Sequence, residues 1–199
     1  MKYLLIVLVS AFISLDLSAQ KSMFILSYPM AFPLGDLKDY NTKTSFRGIN
    51  AEFVGHVKNN FWAGLESGWQ TFYDRVDQKT YVDGTASISG VQYRYTNTCP
   101  IIAEGKWIRP TGSHKKTMPY AGLGLGTMYV ERSTDFGLYR ITNSTWQFCI
   151  RPELGFMFKP ANGVALFAGG KYYGNFGNSS LDGQSYVSIN VGFIFTSGY

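Results

Sequence analysis

Three sets of residues in this chain have the types and spacing to do chemistry. The first is the run of alternate glycines in "PYAGLGLGTMYVE", residues 119–131. Glycines at this density cradle phosphates when they follow a strand and open a helix, because bare backbone approaches an anion closely and a helix N-terminus attracts it. The dinucleotide form of that loop needs a glycine where Thr127 stands, and the P-loop form needs Gly-Lys-Ser/Thr; neither is present. Instead the alternation runs straight through the glycines. Ala121, Leu123, Leu125, Thr127 and Tyr129 share one face, and Tyr120, Gly122, Gly124, Gly126 and Met128 share the other. The run reads as a strand whose small face leaves room for bulky or charged neighbours.

The second set is Glu52, Glu66, Glu104, Lys106, Arg151, Glu153 and Lys171, each on the polar side of an alternating segment. Such residues serve either an ion path or a salt-bridge network. Acids and bases nearly balance here, and buried charges must be paired, so a structural network filling a narrow lumen is the expected reading. The third set is Cys99 and Cys149, on the fourth and sixth candidate strands. A strand between them would separate them by roughly 10 Å, which is beyond disulfide reach.

The elements that must position these residues are strands throughout. No helical period of useful length appears after residue 20, while period-two segments recur. At the C-terminus, Val187, Ile189, Val191, Phe193 and Phe195 oppose Ser188, Asn190, Gly192 and Ile194. Upstream, Phe24, Leu26, Tyr28, Met30 and Phe32 share a face, and Phe61, Ala63, Leu65 and Trp69 oppose Gly64, Glu66, Gly68 and Gln70. Trp146, Phe148, Ile150, Leu154 and Phe156 oppose Gln147, Arg151, Glu153 and Gly155. Counting every such segment predicts eight strands, centred near residues 28, 51, 67, 102, 124, 152, 169 and 191. The connections "KNN" and "PANG" are tight, whereas those around 35–45, 75–95, 131–144 and 176–184 are longer and polar. Short turns on one side and long loops on the other are the pattern of an outer-membrane barrel.

Composition agrees with an all-β membrane barrel. The chain has 199 residues, 17% aromatics, 22 glycines and only 16% charged residues. Its net charge of +5 is not clustered into a nucleic-acid patch, so no nucleic acid is expected as a partner. Residues 1–19 combine Lys2, a short apolar run and the small residues Ser18 and Ala19, which reads as a secretory signal peptide. Residues 20–199 then form one barrel domain in the cell outer membrane. Trp107, Tyr129 and Trp146 fall at strand ends and read as an interfacial girdle.

The leader together with "FPLGDLKDY", "GWQTFYD", "GVQYRY", "PYAGLGLGTMYVE", "RPELGF" and the terminal "SYVSINVGFIF" resembles the small outer-membrane β-barrel superfamily, the OmpA/OmpX-type barrels. The resemblance implies an eight-stranded antiparallel up-and-down barrel, contact with outer-membrane lipid, and handling by the insertion machinery during assembly. Its members differ in role, serving adhesion, immune evasion or structural integrity or having none assigned; no cofactor and no metal are expected here. The chain departs from the pattern at its end, where Thr196, Ser197 and Gly198 precede the last aromatic, Tyr199. Lipid-modifying enzymes also use this scaffold, and the deacylases among them carry a His-x-Ser pair on a strand. Here Lys58 and Lys116 stand two residues after His56 and His114, so no catalytic residue is assigned and no catalysis is expected. A soluble lipocalin-like barrel is the other alternative; it would turn the apolar face inward and the charges outward.

The segment 76–96 is the longest connection, and its β-prone halves around Gly84 and Gly90 are expected to extend the third and fourth strands as a protruding hairpin. Tyr81, Tyr93, Arg94 and Tyr95 there are the expected surface contact for an extracellular ligand.

Overall fold

The computed structural model describes residues 21–83, 86–111, 116–159 and 164–197, with side chains described throughout except at 78–83 and 86–89. The segment read as a leader lies outside the described residues. Eight antiparallel strands close into one barrel in chain order. They are β1 (Ser22–Pro33), β2 (Gly48–Lys58), β3 (Phe61–Asp83), β4 (Ala86–Ile108), β5 (Thr117–Phe136), β6 (Tyr139–Phe158), β7 (Val164–Phe176) and β8 (Tyr186–Ser197). Closure comes from β1 pairing with β8, from Ser22↔Ser197 to Pro33↔Tyr186. A closed ladder leaves no backbone donor or acceptor facing lipid, which is the condition for strands to cross a bilayer.

The period-two pattern decides which way each side chain points. Leu65, Leu123, Leu125, Leu154, Phe156, Phe193 and Phe195 are all exposed on the outside, while Ile25, Val54, Ile102, Met157 and Ile194 are buried inside. On β6 the outward apolar face runs from Trp146 to Phe158. At about 3.4 Å per residue and a tilt of about 40°, that stretch spans about 30 Å, the thickness of a hydrocarbon core.

Between the strands the chain departs from the sequence reading in two places. The 131–144 region is strand rather than a loop, with β5 and β6 paired out to Phe136↔Tyr139 across a turn at Gly137, whose φ is +59°. The 35–45 region carries a helix, α1 (Gly35–Tyr40), which the periodicity does not reveal. Six residues are too few to show a helical period, and tertiary contacts supply the stability that so short a helix lacks. Leu37 of α1 is fully buried with Phe72, Val130, Tyr173 and Leu181, so α1 and the β7–β8 connection pack onto the top of the lumen.

β3 and β4 extend far beyond the apolar belt and pair up to Asp83↔Ala86, with an irregularity between Val76 and Lys79. Since β4 also pairs with β5 from Tyr93↔Asp135, and β5 with β6, the four strands β3–β6 form one continuous sheet beyond the apolar belt.

Candidate functional site

The lumen is stacked in three layers. An apolar layer at the end of the short β2–β3 turn holds Met23, Val54, Ile108, Tyr120, Phe167 and Ile194. A second apolar layer at the outer end holds Phe72, Ile102, Met128, Tyr173 and Tyr186. Between them lie the charges. The structure brings Glu52, Glu66, Glu104, Lys106, Arg151, Glu153 and Lys171 into one buried cluster.

Its geometry explains how so many charges share so little space. Lys106 Nζ pairs with Glu52, lies 3.1 Å from Glu153 Oε1 and 3.6 Å from Glu104 Oε2. Arg151 presents Nε to Glu66 at 2.7 Å and Nη1 to Glu153 at 2.8 Å, while Nη2 pairs with Glu104. Lys171 pairs with Glu52 and lies 3.1 Å from Glu66 Oε2. Neutral groups complete the upper rim. Asn50 donates to Glu66 at 2.8 Å, and the Tyr173 hydroxyl donates to the same carboxylate. Below, the Lys106 ammonium sits 5.4 Å from the Tyr120 ring centre and 5.9 Å from that of Phe167. Glu52, Glu104 and Glu153 converge within 4.8 Å, a spacing that suits a cation, and Lys106 supplies that cation itself.

The alternate glycines of β5 make this cluster possible. A Cβ at Gly122 would lie 2.5 Å from Glu153 Oε1, and one at Gly124 would lie 2.5 Å from Ile102 Cγ2 and 3.2 Å from the Arg151 guanidinium. Close approach of charged side chains from β6, rather than of a phosphate, is what these glycines accommodate.

At the outer end, the residues expected as a surface contact divide between two faces. Tyr93 and Tyr95 face outwards beside Tyr73, with ring centres 6.5 Å and 5.1 Å from it, and Arg47 Cζ lies 5.2 Å from the Tyr73 ring centre. Arg94 does not join them. Strand alternation turns it inwards, where its guanidinium stacks 4.9 Å from the Tyr40 ring centre. The side chain of Tyr81 lies outside the described residues. α1 is tied down by Asp74, which accepts from the Thr42 amide at 3.0 Å and hydroxyl at 2.6 Å and pairs with Lys43 at 3.1 Å. Burial alone would raise the Asp74 carboxyl, but these Thr42 and Lys43 contacts hold it below its ordinary value.

His56 sits at the β2–β3 turn, where Nε2 lies 2.7 Å from the Asn59 carbonyl and the ring packs edge-on against Trp62. His114 lies outside the described residues. Cys149 is buried in the upper lumen layer, and Cys99 is half-buried on the other face; both thiols are free. Trp107 and Trp146 are exposed on the belt, and Tyr129 packs 5.4 Å from Trp146.

Charges inside, apolar side chains outside and closed strands between them define an eight-stranded membrane barrel of the outer-membrane class. This facing is the reverse of a soluble lipocalin-like barrel. The fold matches Neisserial surface protein A, with a TM-score of 0.55 at 12% identity over 92% of this chain and 98% of that one. It matches Ail of Yersinia pestis with a TM-score of 0.55 at 14% identity over 89% of this chain and 99% of that one. It matches OprG of Pseudomonas aeruginosa with a TM-score of 0.52 at 13% identity over 91% of this chain and 97% of that one. At these identities the likeness is one of fold. No family model matches the sequence. No curated protein matches it either.

Proposed function

We propose that this protein is an integral outer-membrane barrel that presents a rigid β-sheet to the cell's surroundings and binds partners there without catalysis. The observation that carries the reading is the β3–β6 sheet beyond the apolar belt. Among the described residues, β3 past Asp74 has a ladder partner only in β4, and β6 before Phe148 has one only in β5. Open strand edges accept an added strand through main-chain hydrogen bonds. The outward cluster of Tyr73, Tyr93 and Tyr95 adds amphipathic aromatic area of the kind enriched at protein interfaces. The buried charge cluster belongs to this reading as scaffold: it fills the barrel and holds the walls that carry the sheet. Ail, one of the structural neighbours, was solved in complex with the heparin analogue sucrose octasulfate, which supports a ligand-binding role for a barrel of this fold.

The test combines fractionation with deletion. The full-length protein should remain in the membrane after carbonate extraction and migrate differently on gels before and after boiling. Deleting residues 79–90 should preserve both properties and reduce cell-surface binding to host matrix or serum proteins. Recovery of the intact protein in the soluble fraction would refute membrane residence. A deletion variant that folds and binds undiminished would refute the contact role.

A further inference from the structure

A cavity of about 430 Å³ opens at the outer mouth, between α1, the inward faces of β4–β6 and the β7–β8 connection. Its volume lies within the range of small-molecule sites, roughly 300–1,000 Å³. Five of its lining residues are charged: Arg94 and Arg132 from β4 and β5, Asp36 and Asp39 from α1, and Asp182 from the β7–β8 connection.

The two arginines are positioned but not neutralised. Tyr40 lies against both, with Arg132 Cζ 3.7 Å and Arg94 Cζ 4.9 Å from its ring centre. The Tyr40 hydroxyl is itself fixed, donating to the Ser133 carbonyl at 3.0 Å and bonding to Thr134. Arg94 donates through Nη2 to Gln92 at 3.1 Å and through Nη1 to the Tyr40 carbonyl at 3.4 Å, both uncharged acceptors. Its Nε is buried and donates to no acceptor among the described residues. The ion pairs above the belt lie elsewhere: Lys43–Asp74, Arg75–Asp77 and Arg140–Asp135. The cavity therefore holds two guanidiniums and three carboxylates that are not paired with one another among the described residues.

Unmatched charges of both signs around one cavity select the ligand. A simple cation meets two guanidiniums, and a phosphate or sulfate dianion meets three carboxylates against only two cations. A molecule with a carboxylate at one end and an ammonium at the other gives each set a group of opposite charge. Guanidinium pairs suit carboxylates in particular, because the planar fork donates two parallel hydrogen bonds. Ile141 and Leu181, also in the lining, add a small apolar surface for a side chain. We propose that the outer mouth binds a small zwitterion of the amino-acid or short-peptide class, with its carboxylate on Arg94 and Arg132 and its ammonium facing Asp36, Asp39 and Asp182. This site is separate from the outward tyrosines and the sheet edges, and it does not rest on their contact role.

Calorimetry on the full chain, refolded in an uncharged maltoside detergent, tests the proposal. Zwitterionic detergents are avoided because their headgroups would compete. The probes are trialanine, N-acetyl-trialanine, trialanine amide and inorganic phosphate. Trialanine should bind with a Kd on the order of 1 mM or tighter. Each blocked form should bind at least about tenfold more weakly, since each lacks one charge-assisted contact. The double change Arg94→Gln with Arg132→Gln should abolish binding, and Asp182→Asn, on a surface connection, should weaken it even if the double variant fails to fold. Deleting residues 79–90 should leave it unchanged. Absence of binding up to roughly 10 mM, equal binding of the blocked forms, or phosphate binding as tightly as trialanine would each overturn the proposal.

Discussion

Arg151 Nε on β6 lies 2.7 Å from Glu66 Oε2 on β3, joining walls of the barrel three strands apart. The same guanidinium also reaches Glu104 and Glu153. One side chain thus ties three strands, β3, β4 and its own β6, through the centre of the lumen. A buried ion pair adds little net stability over an apolar filling, but removing one partner strands the others.

Arg151→Met is therefore expected to destabilise the barrel by about 3–5 kcal/mol, read as a lower urea midpoint in detergent. Adding Glu66→Gln and Glu104→Gln should recover part of the loss, because fewer carboxylates then remain unmatched. A single variant as stable as the parent would remove the cluster from the account of stability.

Glycine positions on the strands should separate sharply. Gly124→Ala places a methyl against Ile102 and Arg151 and should cost about 1–3 kcal/mol, whereas Gly170→Ala has no heavy atom within 4 Å of the new Cβ and should stay within about 0.5 kcal/mol. Leu123→Arg, on the exposed belt beside Gly124, should cost roughly 2–4 kcal/mol. Refolding yield by heat-modifiability ranks the three.

The tether of α1 should depend on pH. Asp74 is held below its ordinary value, so its contribution is complete above the unfolded carboxyl value of about 3.9 and is lost only as pH falls through the lower folded value. Proteolysis of the 34–47 connection should be slow at neutral pH and rise only in strong acid. Asp74→Asn should give rapid cleavage at neutral pH, with loss of about 1.5–3 kcal/mol of local stability, and leave the barrel heat-modifiable. Equal cleavage of parent and variant would show that another contact holds α1.

Planar bilayers should show no porin-sized conductance. The charge cluster is sealed above and below by apolar layers, including Phe72 and Tyr186 at one end and Tyr120 and Phe167 at the other. A packed layer of side chains on each side of buried, mutually paired charges leaves no room for a wide water path. Stable large steps from the wild-type chain would contradict the filled lumen.

Strand number, order and facing were legible in the sequence because a strand's side chains alternate with a period of two, and lipid outside with charge inside makes that period visible. Leu123 against Gly124, or Phe156 against Glu153, shows it residue by residue. The same alternation marks Arg94 as facing away from Tyr93 and Tyr95, a consequence that grouping them as one contact overlooks. What tertiary structure alone decided is which inward groups meet. Glu66 and Arg151 are far apart in the chain, and their pairing depends on strand stagger around a closed barrel, which no local pattern encodes. The same holds for the mouth. "GDLKDY" is too short to display a helical period, so the placement of Tyr40 against Arg94 and Arg132 arises only when α1 packs Leu37 into the top of the lumen.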